Sequence, residues 1–223
     1  MIISFLNQKG GVGKTTLAVN LAACLADQQA NVLLIDADKQ GSASTWASLR
    51  DETPFKVVSL ARENMARDAM RLAADHTHTI IDGSPHAEAI ARSCIVASEF
   101  VVLPIEPSGL STWASDLTVR QVREAQAIKP DLKCGFVVSR KIGGTVIGRE
   151  IRSMACEHGI PILDAEIEQR VAYAESLTMG MTIFEWAPGS AAAREIEALT
   201  QDIQDHYEQK IISDSAKAEA AFA

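Results

Sequence analysis

Short apolar runs rich in β-branched residues alternate along the chain with longer stretches whose apolar residues recur at helical spacing. The short runs are apolar at nearly every position, which is typical of parallel strands covered by helices on both faces. Six runs are predicted to be strands: Ile2–Asn7, Asn31–Ile35, Lys56–Leu60, Thr79–Asp82, Phe100–Ile105 and Cys134–Ser139.

Three of the longer stretches carry an apolar stripe along one helical face. The stripes comprise Leu17, Leu21, Cys24 and Leu25, then Leu117, Val119, Val122 and Ile128, and finally Ile196, Leu199, Ile203, Tyr207 and Ile211. The alternation of strands and helices predicts an α/β fold, a doubly wound, mostly parallel sheet with helices on both faces.

The chain has 223 residues, a length that suits one domain with a sizeable core. No internal repeat or clear linker divides it, so we predict a single domain over residues 1–210. Residues 211–223 are rich in Ala, Lys, Glu and Ser and are predicted to be a flexible tail.

No apolar run approaches the roughly 20 residues that cross a bilayer, and the first residues resemble a strand more than a targeting signal. A cytoplasmic location is therefore expected.

Charge and cysteine content narrow the possible partners and the compartment. The formal net charge is −8, so nucleic acid is repelled overall and DNA binding requires a local basic patch. Four cysteines lie in apolar contexts and form no CxxC pair: Cys24, Cys94, Cys134 and Cys156. They are predicted to be reduced thiols in the core.

A glycine-rich segment, NQKGGVGKTT at Asn7–Thr16, follows the first predicted strand and opens the first helix. Glycines allow backbone N–H groups to wrap phosphate oxygens, and the helix start adds its positive end. Lys14 is predicted to reach the β- and γ-phosphates, Thr15 to hold Mg²⁺, and Thr16 to donate to the α-phosphate. The predicted cofactors are ATP and Mg²⁺, and the predicted nucleotide contacts are Gly10, Gly11, Val12, Gly13, Lys14, Thr15 and Thr16.

Three aspartates stand at the ends of two other predicted strands, where ligands of parallel sheets bind. Alternation along the second strand points Asp36 and Asp38 the same way, toward the metal and the attacking water. Asp82 ends an apolar strand in the manner of a Walker B motif. It is predicted to bind Mg²⁺ through water, with Gly83 keeping the backbone close to the γ-phosphate.

The phosphate loop departs from the strict template GxxxxGK[ST], because Gln8 occupies the first glycine position. The variant KGGxGK[ST] is met in full, and it resembles the deviant Walker A ATPases of the ParA/MinD superfamily. The closest likeness is to the compact ParA-type partition ATPases. In that group an additional lysine, matched here by Lys9, reaches across a dimer to the partner's nucleotide. The resemblance implies a homodimer that forms with ATP and loosens after hydrolysis.

The resemblance extends to the segment DADKQG, which is similar to the DxDPQG switch of ParA proteins. It implies that Asp38 orients or activates water while Asp36 lies near Mg²⁺. Lys39 replaces the usual proline, so the backbone of this loop is less pre-set. After the strand Cys134–Ser139, Arg140 matches a position near the adenine.

The ParA resemblance also implies partners. An ATP-bound dimer would bind DNA without sequence preference and associate with the nucleoid, and a cargo-bound adaptor of ParB type would stimulate hydrolysis. Plasmid or chromosome partition is the leading expectation. Basic residues on the C-terminal half are the candidate DNA contacts: Arg140, Lys141, Arg149, Arg152, Arg170 and Arg194.

Four alternatives share the same loop. One is ParA-like positioning of a protein organelle, such as a carboxysome, or of a chemotaxis cluster. A MinD-like membrane ATPase requires a basic amphipathic C-terminal helix, whereas Gln201–Ala223 is acidic. A nitrogenase-reductase-like enzyme requires cysteines on glycine-flanked loops, whereas Cys94 lies in a helical, apolar context. A small-molecule ATP-dependent ligase requires a substrate pocket beside the γ-phosphate, which no set of residues marks.

Overall fold

The computed structural model describes residues 1–107, 109–142 and 157–221, with side chains described outside residues 109–116 and 209–221. The described strands form one sheet of seven: β1 Ile2–Phe5, β2 Val32–Ala37, β3 Lys56–Ser59, β4 His78–Gly83, β5 Phe100–Ile105, β6 Lys133–Lys141 and β7 Ile162–Glu168. Their order is β3-β2-β4-β1-β5-β6-β7, and every described pairing is parallel. The predicted doubly wound α/β sheet is confirmed.

Helices cover both faces of this sheet. The described helices are α1 Lys14–Asp27, α2 Ser42–Ser48, α3 Ala66–Ala73, α4 Glu88–Ala97, α5 Gly109–Ile128, α6 Val171–Thr178, α7 Ile183–Trp186 and α8 Ala191–Ala221. Residues such as Phe5 and Leu34 point to the face that carries α1, α2, α6, α7 and α8. Their neighbours in the strands, such as Ile35, point to the face that carries α3, α4 and α5. Burial on both faces explains why these strands are apolar throughout.

The strand order brings the chemically important residues to one edge of the sheet. β1 lies between β4 and β5, and Phe5 at its end is the register partner of Asp82 in β4. Asp82 is in turn the register partner of Asp36 in β2. Because parallel strands end at the same edge, the loop after β1 meets the acids of β2 and β4.

Strand β7 is absent from the six predicted strands. Its apolar residues alternate with polar ones, so that Leu163, Ala165 and Ile167 are buried while acidic residues stand between them. Such an edge strand lacks the continuous apolar run of the central strands. Its register against β6 shifts twice, between Phe136 and Val138 and between Val138 and Lys141.

One helical prediction needs correction. Ile128, placed on the apolar stripe of α5, is the last residue of that helix and is 90% exposed. Residues 211–221 continue α8 to Ala221, and the flexibility predicted for the tail stays a prediction. Alanine, glutamate and lysine are strong helix formers, so the composition that indicates a tail also supports a helix. The rest of the final stripe is confirmed where side chains are described, since Ile196, Leu199 and Ile203 are buried.

The cysteines whose positions are described behave as predicted. Cys24, Cys94 and Cys134 are buried free thiols, and Cys156 lies outside the described residues. Burial raises the pKa of Cys94 to about 12, which keeps it protonated and unreactive. Across the described ranges, no helix combines the length and the apolar character needed to span a membrane.

Candidate nucleotide-binding site

The glycine-rich loop between β1 and α1 has the backbone of a phosphate cradle. Gly11 and Gly13 adopt positive φ angles of 79° and 92°, which side chains resist. Gly13 is the N-cap of α1, so the positive end of this helix opens into the loop. The side chain of Asn7 fixes the start of the loop through two hydrogen bonds. Its amide donates to the carbonyl oxygen of Pro104 at 2.7 Å, and its Oδ1 accepts from the Lys9 N–H at 2.8 Å.

Lys14 is held over this loop. Its side chain is buried, and its Nζ donates to the carbonyl oxygen of Lys9 at 2.9 Å. Burial lowers the pKa of Lys14, although the nearby carboxylates of Asp82 and Asp38 act in the opposite direction. A buried ammonium with little solvation gains from an anion, and phosphate oxygens at the loop would supply it.

The other predicted loop residues surround Lys14. Gly10 is exposed and a side chain there would meet open space, whereas Val12 is fully buried. Thr15 and Thr16 occupy the first turn of α1 and are half-buried. The Thr15 hydroxyl lies on the side of Asp82, where it lowers the pKa of that carboxyl.

Asp82 is the clearest sign of a missing cation partner. Its side chain is fully buried, and neither carboxylate oxygen has a hydrogen-bond partner among the described residues. Burial is the main cause that raises the pKa of Asp82 to about 7, and the neighbouring Asp36 adds to the effect. An unsatisfied buried carboxylate beside a hydroxyl fits Mg²⁺, which is usually held by one or two carboxylates together with phosphates and water.

Asp36 organises the loop that follows β2. Its Oδ1 accepts the N–H of Asp38 at 3.1 Å, and its Oδ2 accepts the N–H of Ser44 in α2 at 2.8 Å. The loop closes further because the Gly41 N–H donates to the carbonyl oxygen of Asp38 at 2.9 Å. These bonds order the segment around Lys39 without the proline that the ParA switch usually carries there.

Asp38 belongs to the same site, and one of its two carboxylate oxygens already accepts hydrogen bonds. Its Oδ1 accepts two hydrogen bonds, from the N–H of Gln40 at 3.0 Å and from the hydroxyl of Ser84 at 2.9 Å. No hydrogen bond to Oδ2 is recorded within the described parts of the chain. This arrangement fixes the carboxylate and leaves one oxygen for a water molecule. Ser84, which follows the Walker B strand, is missed by sequence reasoning.

Lys9 and Arg140 meet on a single carboxylate. Glu106, just after β5, places Oε2 2.5 Å from the Lys9 Nζ and Oε1 3.1 Å from an Arg140 Nη1. The same Nη1 donates to the carbonyl oxygen of Gly11 at 2.8 Å, and Arg140 has a positive φ of 56°. Arg140 therefore contacts the phosphate loop itself, and the adenine contact expected for it stays a prediction.

A cavity of about 680 Å³ continues from the loop along the ends of β6 and β7. Thr16, Ser139 and Arg140 form one side of it, and residues of the β7–α6 connection, including Gln169 and Tyr173, form the other. The cavity begins where the α-phosphate is expected and has the volume of a small-molecule site. Its β7 side is missed by sequence reasoning because that strand itself is missed.

The candidate DNA contacts are largely neutralised within this subunit. Arg149 and Arg152 lie outside the described residues. Of the others, Arg140 pairs with Glu106, Lys141 with Glu166, and Arg170 with both Glu168 and Glu195, while Arg194 donates to the carbonyl oxygen of Gly189. The described part of this surface thus offers little uncompensated positive charge.

A parallel sheet with a glycine loop, a buried lysine at the helix start and acids on neighbouring strand ends defines a P-loop nucleotide-binding protein. Comparison with known families agrees, because residues 3–183 match the CobQ/CobB/MinD/ParA nucleotide binding domain. The chain belongs to this family, and it is an ATPase of the ParA/MinD type.

Relatives include proteins with known names. Two are called "Maintenance of carboxysome distribution protein A". The one from Gloeobacter kilaueensis is 34% identical over 202 residues, covering 88% of this chain and 89% of the relative. The one from Halothiobacillus neapolitanus is 27% identical over 206 residues, covering 90% and 95%. The "Chromosome-partitioning ATPase Soj" of Thermus thermophilus is 27% identical over 234 residues, covering 90% and 94%.

Among solved structures, the septum site-determining protein MinD from Pyrococcus horikoshii, determined with Mg-ADP, has the same fold. Its TM-score is 0.75 at 18% identity, with 94% of this chain and 98% of that chain covered. The likeness of fold extends over nearly the whole of both chains.

Proposed function

We propose that this chain binds ATP with Mg²⁺, dimerises in that state and uses hydrolysis to position intracellular cargo. The observation that carries the nucleotide part is that two buried ionisable groups face one loop and form no salt bridge with any described residue. Lys14 and Asp82 face the same loop, one suited to phosphate and the other to a divalent cation. Bound together, Mg²⁺ and triphosphate satisfy both at once.

Each remaining residue of the site takes a role that its contacts support. Thr15 and Asp82 would hold Mg²⁺, with Asp36 behind them ordering the switch loop. Mg²⁺ would neutralise charge on the β- and γ-phosphates. Asp38, fixed through Oδ1, would use its second oxygen to orient the attacking water.

Dimerisation assigns a role to Lys9. At the start of the phosphate loop it is only partly buried, and its ammonium reaches outward to Glu106. In an ATP-bound dimer it would instead reach the phosphates of the partner subunit. The nucleoside would lie in the cavity along β6 and β7, next to Ser139 and Arg140.

The relatives favour a protein organelle as cargo. Two of them are named for maintaining carboxysome distribution, and one of these exceeds 30% identity over most of both chains. We therefore place positioning of a carboxysome-type microcompartment first. Plasmid or chromosome partition becomes the second candidate, supported by the relative named Soj.

In this proposal the ATP-bound dimer binds DNA without sequence preference, and an adaptor protein on the cargo stimulates ATP hydrolysis. The protein would then be cytoplasmic and associated with the nucleoid when ATP is bound. Since three of the four described candidate contacts, Arg140, Lys141 and Arg170, are ion-paired, DNA binding by the monomer is expected to be weak. Joining two protomers would double whatever local positive charge remains, so affinity for DNA should require ATP and fall with salt.

The nucleotide proposal is tested by calorimetry with Mg²⁺ and ATP on the wild type, Lys14→Ala and a surface control, Lys56→Ala. We expect binding in the wild type and the control, and none in Lys14→Ala. Asp38→Ala should accumulate as an ATP-bound dimer with little hydrolysis, and Lys9→Ala should bind ATP as a monomer. A wild-type protein that shows no heat of association would refute the proposal.

The cargo is tested by deleting the gene in its host. Clustered or unevenly spaced microcompartments with normal plasmid and chromosome inheritance would support the first candidate. Loss of plasmid or chromosome inheritance with evenly spaced microcompartments would support the second.

A further inference from the structure

Glu106 links the loop lysine to the arginine at the end of β6. It is 17% exposed, and each of its two oxygens contacts a different cation, Lys9 at 2.5 Å and Arg140 at 3.1 Å. Lys9 and Glu106 are 97 residues apart in sequence, and Arg140 follows Glu106 by 34. Three separate chain segments therefore converge on one carboxylate at the rim of the phosphate loop.

The two cations on Glu106 differ in side-chain chemistry. Arg140 also donates to the carbonyl oxygen of Gly11, so its guanidinium is fixed by two contacts. Lys9 reaches Glu106 through a long, flexible side chain with a single compact charge, which moves readily between anions. The charge that can leave this cluster is thus the lysine.

Departure of Lys9 does not leave Glu106 without a cation. A half-buried acid that loses its only cation pays a desolvation cost, which makes such pairs difficult to break. Here Arg140 stays in contact with Glu106, so the cluster changes from two cations on one anion to a matched pair. The geometry is therefore suited to reversible release.

We propose that Glu106 is a positioning residue that retains Lys9 on its own subunit and thereby sets the concentration of ATP needed for dimerisation. This rests on the proposed function, in which Lys9 must leave its own subunit for the phosphates of the partner. The γ-phosphate of the partner's ATP is the anion that competes with Glu106 for the lysine, whereas ADP lacks this group and leaves the lysine in place. Glu106 makes dimerisation depend more strongly on the γ-phosphate, and Arg140 limits how strongly Glu106 retains Lys9.

The test measures dimer formation by sedimentation velocity while Mg²⁺ and ATPγS, which is hydrolysed slowly, are titrated into the full chain. Glu106→Gln removes the charge and keeps the shape. The matched control is Glu124→Gln, since Glu124 forms an exposed ion pair with Arg92 on another surface. Mg²⁺-ADP affinity, measured by calorimetry, separates effects on nucleotide binding from effects on dimerisation.

Glu106→Gln is expected to lower the ATPγS midpoint for dimerisation by about three- to tenfold, since two partly exposed pairs, one per subunit, no longer compete. Glu124→Gln should leave the midpoint unchanged, and ADP affinity should be unchanged in both. Arg140→Gln should raise the ATPγS midpoint, after correction for any change in the ADP affinity of this variant. The reason is that Arg140 then no longer competes with Lys9 for Glu106. In a Lys9→Ala background, Glu106→Gln should give no gain.

Two results overturn the proposal while leaving the proposed function intact. One is a wild-type dimer with ATPγS whose midpoint is the same in Glu106→Gln. The other is a gain from Glu106→Gln that persists when Lys9 is alanine. A wild type that forms no dimer at any ATPγS concentration overturns the proposed function and this proposal with it.

Discussion

The hydroxyl of Ser84 donates to the carboxylate of Asp38 at 2.9 Å, joining the end of β4 to the switch loop after β2. Both side chains are buried, so water competes little for this bond. Among the described residues the hydroxyl has one other acceptor, the carbonyl oxygen of Pro85 at 3.2 Å, and this bond is longer and uncharged. The carboxylate expected to orient water is therefore held by the strand expected to hold the metal.

Replacing Ser84 with alanine should slow hydrolysis without weakening nucleotide binding. Asp38 keeps its bond from the Gln40 N–H but loses the one that fixes its rotation, so we expect the rate constant to fall by about three- to tenfold. Steady-state ATPase assays and calorimetry measure the two quantities. Ser48→Ala, on an exposed turn of α2, is the control with the same atom removed. An unchanged rate constant in Ser84→Ala would show that Gln40 alone holds the carboxylate.

Magnesium binding should release a proton from Asp82. Burial raises the pKa of this carboxyl to about 7, above its usual value, so below that pH the metal-free site is mostly protonated. Mg²⁺ requires the ionised form, and its apparent affinity should fall by up to about tenfold per pH unit as pH drops below about 7. Calorimetry at about pH 6.5 in two buffers of different ionisation enthalpy measures the proton. Asp82→Asn should bind Mg²⁺-ATP weakly and release none from this position, and equal heats for the wild type in both buffers would contradict the prediction.

Gly83→Ala should destabilise the centre of the sheet. A Cβ at Gly83 would lie 2.7 Å from the carbonyl oxygen of Phe5 and closer still to the Leu6 side chain, so β1 and β4 would have to move apart. We expect a loss of about 1–3 kcal/mol in the free energy of unfolding, measured with urea in the absence of nucleotide. Gly10→Ala, whose side chain meets open space, should change stability by less than about 0.5 kcal/mol. Equal stabilities for the two variants would refute this account of Gly83.

Glu185 should give the fold a component of stability that is lost in acid. Hydrogen bonds from Arg50 are the largest cause that lowers its pKa to about 2, and the Thr182 N–H adds to them. Because the folded pKa is depressed below the ordinary 4.5, the stabilisation is complete above about pH 5 and is lost as pH falls toward about 2. The side chain is 36% exposed, so screening limits the effect to about 1 kcal/mol or less.

The corresponding measurement compares Glu185→Gln with the wild type by urea unfolding at about pH 7 and about pH 3.5. The penalty of the substitution should be present at the higher pH and shrink at the lower one. A penalty that is the same at both pH values would show that the charge of Glu185 does not contribute.

The sequence predicts those parts of the fold that depend on local pattern. Continuous apolar runs identify the six strands from β1 to β6, and the spacing of lysine, glycine and threonine identifies the phosphate loop. The position of Asp36 and Asp82 at strand ends predicts their convergence, because parallel strands share an edge. Strand β7 is not predicted, because only one of its faces is buried and it therefore lacks a continuous apolar run.

The contacts that tune the site depend on the assembled sheet. Ser84 and Asp38 are 46 residues apart, and Glu106 is 97 from Lys9, so no local spacing marks either pair. For Gly83 the structure adds a reason that the local pattern does not give, because Leu6 and the backbone at Phe5 fill the space beside it. Its predicted role of keeping the backbone close to the γ-phosphate stays a prediction.

The two register shifts between β6 and β7 place one part of the candidate site on irregular strand pairing and leave the other part on regular pairing. The residues proposed to contact phosphate, Mg²⁺ and water lie at or just after the ends of β1, β2 and β4, whose pairings show no register shift. The cavity proposed for the nucleoside lies instead against the irregular outer pair. Substitutions on β6 and β7 are therefore expected to change contacts with the base while the proposed phosphate and metal contacts keep their backbone positions.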